Sequence, residues 1–521
     1  MKKKYDYIIV GSGVAGITIA KNLLENNPLS SILMLEAGPY IPAKERRSWW
    51  DYITLNRTPY DFTYDTSWEA KSVGDINWIS AGARVKAVGG STMHWGAWSM
   101  RFKPEDFQLY TNTGLGADWP ISYDDLESYY QKAEEYLSVC GDETEEWSPR
   151  SKPYPLPPFE WTAADGVMLE AFEALGIKPG KMPLARYRKC FTTGTCKYCP
   201  FGSRFSAVNI LTELLENKKY KNFTLRSNTP VKKINCLSKD KIDSIECLDN
   251  TTGEISNEKA NQFIICSGSY ETPKLLMISK NEHWKNGVGN DADLCGRFII
   301  SHSMLKVRGS TPTNPERWFQ EYDFPTLMSR SYDTPERQKI GKIFLFKDRT
   351  QPNQDIASLM IQGKTPDEIE EIMSGPMTME LQAFMEEKGK FENRLEIVEG
   401  TDRFGLPLTK ITFNRNEEEN KNALENLEIM KKVVLQMGYE IGKDGATVQD
   451  PGAHHTTGTC RMGKTAKDSV TDMNLKVHGI SNLYLCSNGV FPTGSAVNPT
   501  LTLTALSIRL SEKLINESQT Y

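Results

Sequence analysis

Residues Tyr7 to Val10 form a short apolar run that stops at Gly11. Beyond it apolar residues recur at Val14, Ala15, Ile17, Ile19, Ala20, Leu23 and Leu24, the spacing of one buried helical face. The pattern predicts strand, turn, helix. A second apolar run, Ile32 to Leu35, ends in Glu36. Much later, Gln262 to Cys266 and Leu483 to Cys486 are apolar on both faces, as strands buried inside a parallel sheet are. Ser267-Gly268-Ser269 follows the first and leads to a helix-like stretch from Thr272 to Ile278. Ser487-Asn488-Gly489 follows the second and leads to Leu501 through Leu514. Strands so far apart that share one crossing pattern predict a domain assembled from separate pieces of chain.

Between those pieces the period changes. Leu395 and Ile397 alternate with polar residues, Gly405-Leu406-Pro407 reads as a turn, and Leu408 to Phe413 is again strand-like, so an antiparallel sheet is expected. A helix with apolar residues at Ala423, Leu427, Met430, Val434 and Met437, stopped by Gly438, would cover one face of it. The Trp- and Pro-rich stretch from Asp118 to Pro158 reads as an ordered connection or lid. The divisions expected are 1–110, 205–300 and 451–521 for the discontinuous domain, 111–204 for the connecting region and 301–450 for a second domain.

Composition narrows the class. With 521 residues, 39% apolar and 25% charged, the chain is an ordinary globular protein with room for several folding units. Its 62 Lys and Arg against 67 Asp and Glu give a net charge of −5 without basic blocks. Nucleic acid is therefore not an expected partner, since that binding needs clustered cations. No apolar run approaches the roughly 20 residues of a membrane-spanning helix. The opening Met1-Lys2-Lys3-Lys4 imitates a signal peptide, but the apolar run after it is broken by Gly11, Ser12, Gly13 and Gly16. Ten cysteines in 521 residues are too dilute for a disulfide scaffold, the scatter of all but Cys190, Cys196 and Cys199 suits reduced thiols, and a cytoplasmic location is expected. Between Pro366 and Gly400 ten acids face three bases, for which a solvated helix face is the favoured account.

Candidate chemistry begins at the first turn, Gly11-Ser12-Gly13-Val14-Ala15-Gly16. The first glycine permits a tight bend, the second lets a pyrophosphate approach the backbone, and the third lets helix pack on strand. The helix N-terminus then faces the phosphates. Glu36, twenty residues after Gly16, stands where a carboxylate accepts from ribose hydroxyls and would repel a ribose phosphate, which disfavours NADP. FAD and NAD remain equal on this ground.

Four segments in order then resemble the glucose-methanol-choline family of FAD-dependent oxidoreductases, nearest its pyranose-oxidase-like and sugar- or aminoglycoside-oxidising members. They are the Gly11 to Gly16 turn with Glu36, Val88 through His94-Trp95-Gly96, His455 through Gly463, and Phe491-Pro492-Thr493 through Val497-Asn498-Pro499-Thr500. The resemblance implies FAD as cofactor. It implies an α/β fold with a discontinuous Rossmann-like FAD-binding domain and an α+β substrate domain whose antiparallel sheet roofs the substrate. Oxidising an alcohol needs a base near the hydroxyl, and histidine is the natural one near neutral pH. The family pattern assigns that role to His455 among the six histidines, and gives Asn498 as a donor to the substrate oxygen.

By the same resemblance Gly11, Gly13, Gly16, Glu36, Gly90, Ser91, His94, Asn488, Gly489, Pro499 and Thr500 surround the cofactor. His94 has the spacing at which some members bond the flavin covalently, and a His that only packs by the ring is the alternative. Arg461, Met462 and the Thr457-Gly458-Thr459 turn are expected on the flavin side. His454 is read as a bystander and His478 as structural, while His283 and His302 carry no role that the sequence discloses. Cys190, Cys196 and Cys199 are spaced as a metal or iron-sulfur site could be, but the fourth cysteine is missing and no metal is expected. The expected reaction is oxidation of a carbohydrate or aminosugar hydroxyl, such as the 6'-hydroxyl of a paromamine-type aminoglycoside, with oxygen or a quinone-type acceptor. A quinone-linked sugar or polyol dehydrogenase and a non-redox lyase of the hydroxynitrile type are the alternatives.

Overall fold

The structure, a computed structural model, describes residues 4–41, 70–78, 83–187, 199, 202–311, 322, 324–348, 350–352 and 356–519. Cys190 and Cys196 lie outside them. Among the described residues no helix is long and apolar enough to cross a membrane.

One seven-stranded sheet runs in the order Phe223–Arg226, Ile32–Leu35, Lys4–Val10, Ile255–Ile265, Lys241–Leu248 and Val231–Ser238, with Leu483–Leu485 also paired to Ile255–Ile265. The strand ends matter most for function. Val10 is in register with Leu35 and Ile265, and Ile265 with Leu485, all in parallel. The loops that follow these strands therefore leave from one edge, where ligands bind in open parallel sheets. Backbone bonds tie the loops together: Gly11 N–H donates to Leu35 O (2.8 Å), Cys266 N–H to Val10 O (2.7 Å) and Cys486 N–H to Ile265 O (2.9 Å). The eleven-residue Ile255–Ile265 strand does two jobs, because its first half pairs antiparallel with Lys241–Leu248. The helix Val14–Asn26 packs against the long helix Thr500–Gln519, burying Ile17, Leu24, Leu506 and Leu510.

The second large sheet is antiparallel, in the order Ala446–Gln449, Ser303–Ser310, Met377–Met385, Ile343–Lys347, Leu327–Ser329 and Gly180–Lys181. The helix Glu417–Gln436 lies on this sheet, where Leu427, Met430, Val433 and Val434 share a core with Leu305, Val307, Leu381 and Ala383. This corrects the expectation that the helix covers the hairpin around Gly405. That hairpin, Arg394–Thr401 with Pro407–Thr412, instead joins Ala70–Val73 in a separate three-stranded sheet. Its buried Leu395 and Ile411, with the following Phe413, pack on Trp78, Tyr270 and Ile299. An alternating pattern says which face of a strand is covered, but not by what.

The acid-rich stretch is also divided. Asp367, Glu370 and Glu371 ride on the exposed helix Pro366–Met373, capped by Thr365. Glu387 is instead buried against Arg415 (2.8 Å), and Glu380 pairs with Arg308 (2.6 Å) and Lys306 (3.2 Å).

Candidate active site

The loops at the parallel strand ends enclose a cavity of about 390 Å³. Gly11 has φ +102°, and a Cβ there would sit 2.5 Å from Cys266 O. A Cβ on Gly16 would sit 2.1 Å from Gly11 O, so helix and strand meet only because both are glycine. Gly13 has open space where its Cβ would be and lines the cavity with Val14 and Ala15, at a helix N-terminus that no side chain caps. Glu36 is buried beside it. Ser12 N–H and Oγ–H donate to its Oε2 (3.0 and 2.7 Å), and Gly38 N–H donates to its Oε1 (3.1 Å). Burial raises the carboxyl's pKa, against the opposing pull of those donors and Lys86.

The second motif folds over this turn. Gly89 (φ +98°) and Gly90 (φ +53°) open the short helix Gly90–Met93, and a Cβ on Gly90 would lie 3.1 Å from Gly13 Cα. His94 closes that helix, its N–H on Ser91 O (3.2 Å), and Gly90, Ser91 and His94 all line the cavity. Arg204, which no sequence pattern singled out, clasps the loop: its guanidinium donates to Thr92 O (2.9 Å), Trp95 O (2.8 Å) and Met93 O (2.8 Å).

His455 ends the short turn Ala453–His455, which is pinned on both sides. Ser301 Oγ–H donates to Gly452 O (2.6 Å), and Ser269 Oγ–H to Thr456 O (2.6 Å). Asn498 precedes Pro499, which restricts it to extended backbone, and Pro499 O accepts from Leu503 N–H (3.0 Å) at the start of the long helix. The two side chains meet, with Asn498 Nδ2 2.9 Å from His455 Nε2. Asn498 Oδ1 and Asn488 Oδ1 are buried with no protein partner, and both residues line the cavity, as does Thr500. Gly16, Gly489 and Pro499 do not line it. Gly489 packs under Thr459, and its carbonyl accepts from Cys460 N–H (2.7 Å).

His302, assigned no role above, is bonded to His455 through the two Nδ1 atoms (3.0 Å), and its Nε2 faces Ser495 O (3.0 Å) and Gly494 O (3.3 Å). Burial pushes its pKa down to about 4. Burial, and the neighbouring His302 and His454, hold His455 well below the usual imidazole value, so both rings are neutral near pH 7. Phe384 of the antiparallel sheet sets an edge contact on His455 (4.8 Å between centroids) and stacks on His302 (5.4 Å). Trp98, on the cavity wall, packs in turn on Phe384 and Phe346.

The same cavity holds a charged group that the motifs did not reveal. Glu271 pairs with Lys274 (3.1 Å), Arg84 (3.2 Å) and Lys86 (3.5 Å), while Asp402 pairs with Lys86 (3.0 Å) and Lys274 (3.5 Å). Although burial opposes it, these cations hold Glu271 far below the usual carboxylate range.

The remaining residues fall as follows. Arg461, Met462 and the Thr457-Gly458-Thr459 turn do not line the cavity. They grip the 296–300 segment and its surroundings: Thr457 N–H donates to Ile300 O (2.9 Å), a Cβ on Gly458 would lie 2.0 Å from Phe298 O, and Arg461 stacks on Phe298. His454, read as a bystander, lines the cavity. His478 Nε2 meets Ser469 Oγ (2.9 Å), and His283 lies near Glu282 (3.6 Å).

Sequence models described as GMC oxidoreductase match residues 5–294 and 390–507. The chain is 27% identical to the fructose dehydrogenase large subunit of Gluconobacter japonicus, over 98% of each chain. It is 25% identical to paromamine 6'-oxidase of Streptomyces fradiae, over 98% of this chain and 92% of that one. A formate oxidase of Aspergillus oryzae RIB40, whose structure concerns FAD modification, superposes with a TM-score of 0.68 at 17% identity, covering 100% of this chain and 99% of its own.

Proposed function

Because the chain belongs to the GMC oxidoreductase family, we propose that it oxidises a hydroxyl group of a neutral sugar or polyol, with FAD bound along the cavity. The chain's own groups fit that cofactor. The uncapped helix N-terminus at Gly13 suits the pyrophosphate, Glu36 suits ribose hydroxyls, and the unpaired Asn488 Oδ1 is a buried acceptor in want of a donor. Flavin, when bound, supplies a hydride acceptor.

The observation that carries the reading is the neutral His455 imidazole with Asn498 Nδ2 2.9 Å from its Nε2, on the wall of a cavity whose other parts suit a dinucleotide. A substrate hydroxyl set between them donates to His455 Nε2 and accepts from Asn498 Nδ2. His455 takes the hydroxyl proton as the carbinol carbon loses hydride, and the Asn498 amide steadies the negative charge that develops on oxygen. Phe384 and the tied turn keep the base from swinging away.

A neutral substrate is favoured over a polycationic aminosugar by the charges present. Among the described residues the carboxylates on the cavity wall are Glu36 and Glu271, and Glu271 is already matched by three cations. No described acid stands beside His455 on that wall to receive an ammonium group. The test is anaerobic mixing of the holoenzyme with neutral sugars, polyols and aminoglycosides. Bleaching by a neutral alcohol with formation of a carbonyl product supports the reading, and faster bleaching by aminoglycosides restores the aminosugar alternative. Cleavage of a cyanohydrin without bleaching would support the lyase. Readmitting oxygen then separates an oxidase, which forms peroxide, from a dehydrogenase that needs a quinone-type acceptor. His94 reaches the flavin by packing or by a covalent bond, and acid precipitation separates the two: flavin in the pellet reads covalent, yellow supernatant reads packing.

A further inference from the structure

His302 stands at the head of the Ser303–Ser310 strand, 153 residues from His455, yet the hydrogens between them can be counted. Carbonyl oxygens only accept, so His302 Nε2, facing Gly494 O and Ser495 O, carries a hydrogen. The buried ring is neutral and has only that one, so its Nδ1 is a bare acceptor. The 3.0 Å contact from there to His455 Nδ1 then needs its hydrogen on His455. His455 is neutral too, and its Nε2 is left bare, facing the Asn498 amide nitrogen, a donor. Each ring nitrogen then either carries one hydrogen toward an acceptor or is bare before a donor. The opposite tautomers would turn the His302 lone pair on two carbonyls and put a hydrogen on His455 Nε2, against the amide.

We infer that His302 is a positioning residue that holds His455 in the tautomer with Nε2 bare, the form able to take a proton from a substrate hydroxyl. The carbonyls that start the series are themselves fixed. Ser495 Oγ–H donates to Asp106 Oδ2 (2.8 Å) and Thr493 Oγ–H to Asp106 O (2.9 Å), while Lys342 forms a buried ion pair with the Asp106 carboxylate. In the reaction the substrate O–H bond breaks, a new N–H bond forms at His455 Nε2, and the carbinol C–H electron pair leaves as hydride. Throughout, His455 Nδ1–H stays on His302. The role rests on the assignment of His455 as base.

The test is nitrogen-15 NMR of holoenzyme labelled at histidine, with peaks assigned by His302→Asn and His455→Asn. The wild-type protein is expected to show His455 protonated at Nδ1 and bare at Nε2, and a hydrogen on Nε2 would overturn the inference. In His302→Leu, which leaves Nδ1 without an acceptor, the hydrogen is expected to move to Nε2 as the Asn498 amide turns its unpartnered Oδ1 to accept it, with flavin reduction slowed about 10²- to 10⁴-fold, the scale of a mis-set catalytic tautomer, and substrate affinity little changed. His302→Asn, whose amide oxygen can stand near the original Nδ1, is expected to restore the Nδ1–H signal and recover much of the rate. His302→Leu and His302→Asn proteins that both reduce flavin within about twofold of wild type, less than a lost hydrogen bond gives, would also overturn it. His455→Asn with undiminished flavin reduction would instead remove the base assignment, leaving the NMR result to stand on its own.

Discussion

Two parts of the cavity wall solve opposite electrostatic problems. Toward Glu36 and Glu271 the wall is crowded with charge, and buried carboxylates survive because backbone amides, Ser12 and the cations Arg84, Lys86 and Lys274 answer them. Around His455 the described partners are another imidazole, a carboxamide and the Phe384 ring. On the proposed function, the contrast follows from what each part of the wall does. Holding a dianionic dinucleotide favours fixed charge, whereas moving a proton and a hydride works best where no full charge competes for the hydrogens before they move. Asp106, the carboxylate linked to the base site, acts only through Ser495 and is matched by Lys342.

The strongest way to break this contrast is to remove the base. His455→Asn keeps a polar group of similar reach but no proton acceptor of comparable basicity, so flavin reduction is expected to fall by at least about 10³-fold. FAD content should be unchanged, since the charged part is untouched. Anaerobic stopped-flow mixing reads the first and the visible spectrum the second.

Asn498→Ala comes next. The amide makes its strongest contact as charge builds on the substrate oxygen, so the expected loss is about 10²- to 10³-fold in kcat, with a small change in KM. An effect mainly on KM would mean that the amide binds ground-state substrate instead.

Acid should then weaken the neutral part selectively. His302 has a folded pKa of about 4, below the roughly 6.5 of an exposed imidazole. The unfolded chain therefore binds more protons as pH falls. The stability contribution is complete above about pH 6.5 and is lost on descent toward 4, to a total of about 3 kcal/mol. Glu386 works against it, because burial raises its pKa to about 7, and its contribution is present below the ordinary Glu value and lost as pH rises through 7. The clean measurement is therefore a difference. Urea midpoints of wild type and His302→Asn should diverge above pH 6 and converge near 4.

The same contrast explains what could be read from sequence. The glycine turn, Glu36, the 88–96 loop and the His455 and Asn498 segments are local strings of fixed spacing, so their gathering on one cavity wall was legible. His302 was not, because its function lies in one nitrogen facing a ring on a distant turn, and a lone histidine before a strand looks like any other. Arg204 and Asp402 are hidden for the same reason: Arg204 clasps carbonyls more than 100 residues away, and Asp402 pairs with Lys274 and Lys86 at separations of 128 and 316 residues. The Glu417–Gln436 helix shows the limit for architecture, since its apolar stripe announced a buried face but did not say which strands would cover it.

The mildest test acts on the charged part alone. Glu36→Gln keeps the shape of the side chain while replacing one acceptor oxygen by an NH2 group. In the native site both oxygens accept, Oε2 from Ser12 and Oε1 from Gly38. Whichever way the amide turns, its NH2 meets an N–H, and a ribose hydroxyl loses a charged acceptor. The mismatch is there with and without FAD and lowers fold stability, whereas the lost charged acceptor for a ribose hydroxyl, about 1 to 2 kcal/mol, corresponds to FAD binding weakened roughly 5- to 30-fold. Titration of stripped protein with FAD measures it, and at saturating FAD the rate of flavin reduction should match wild type. A reduced rate at full occupancy would mean that the two parts are coupled, because the carboxylate would then be setting the placement of the ring at His455 as well as the affinity for the nucleotide.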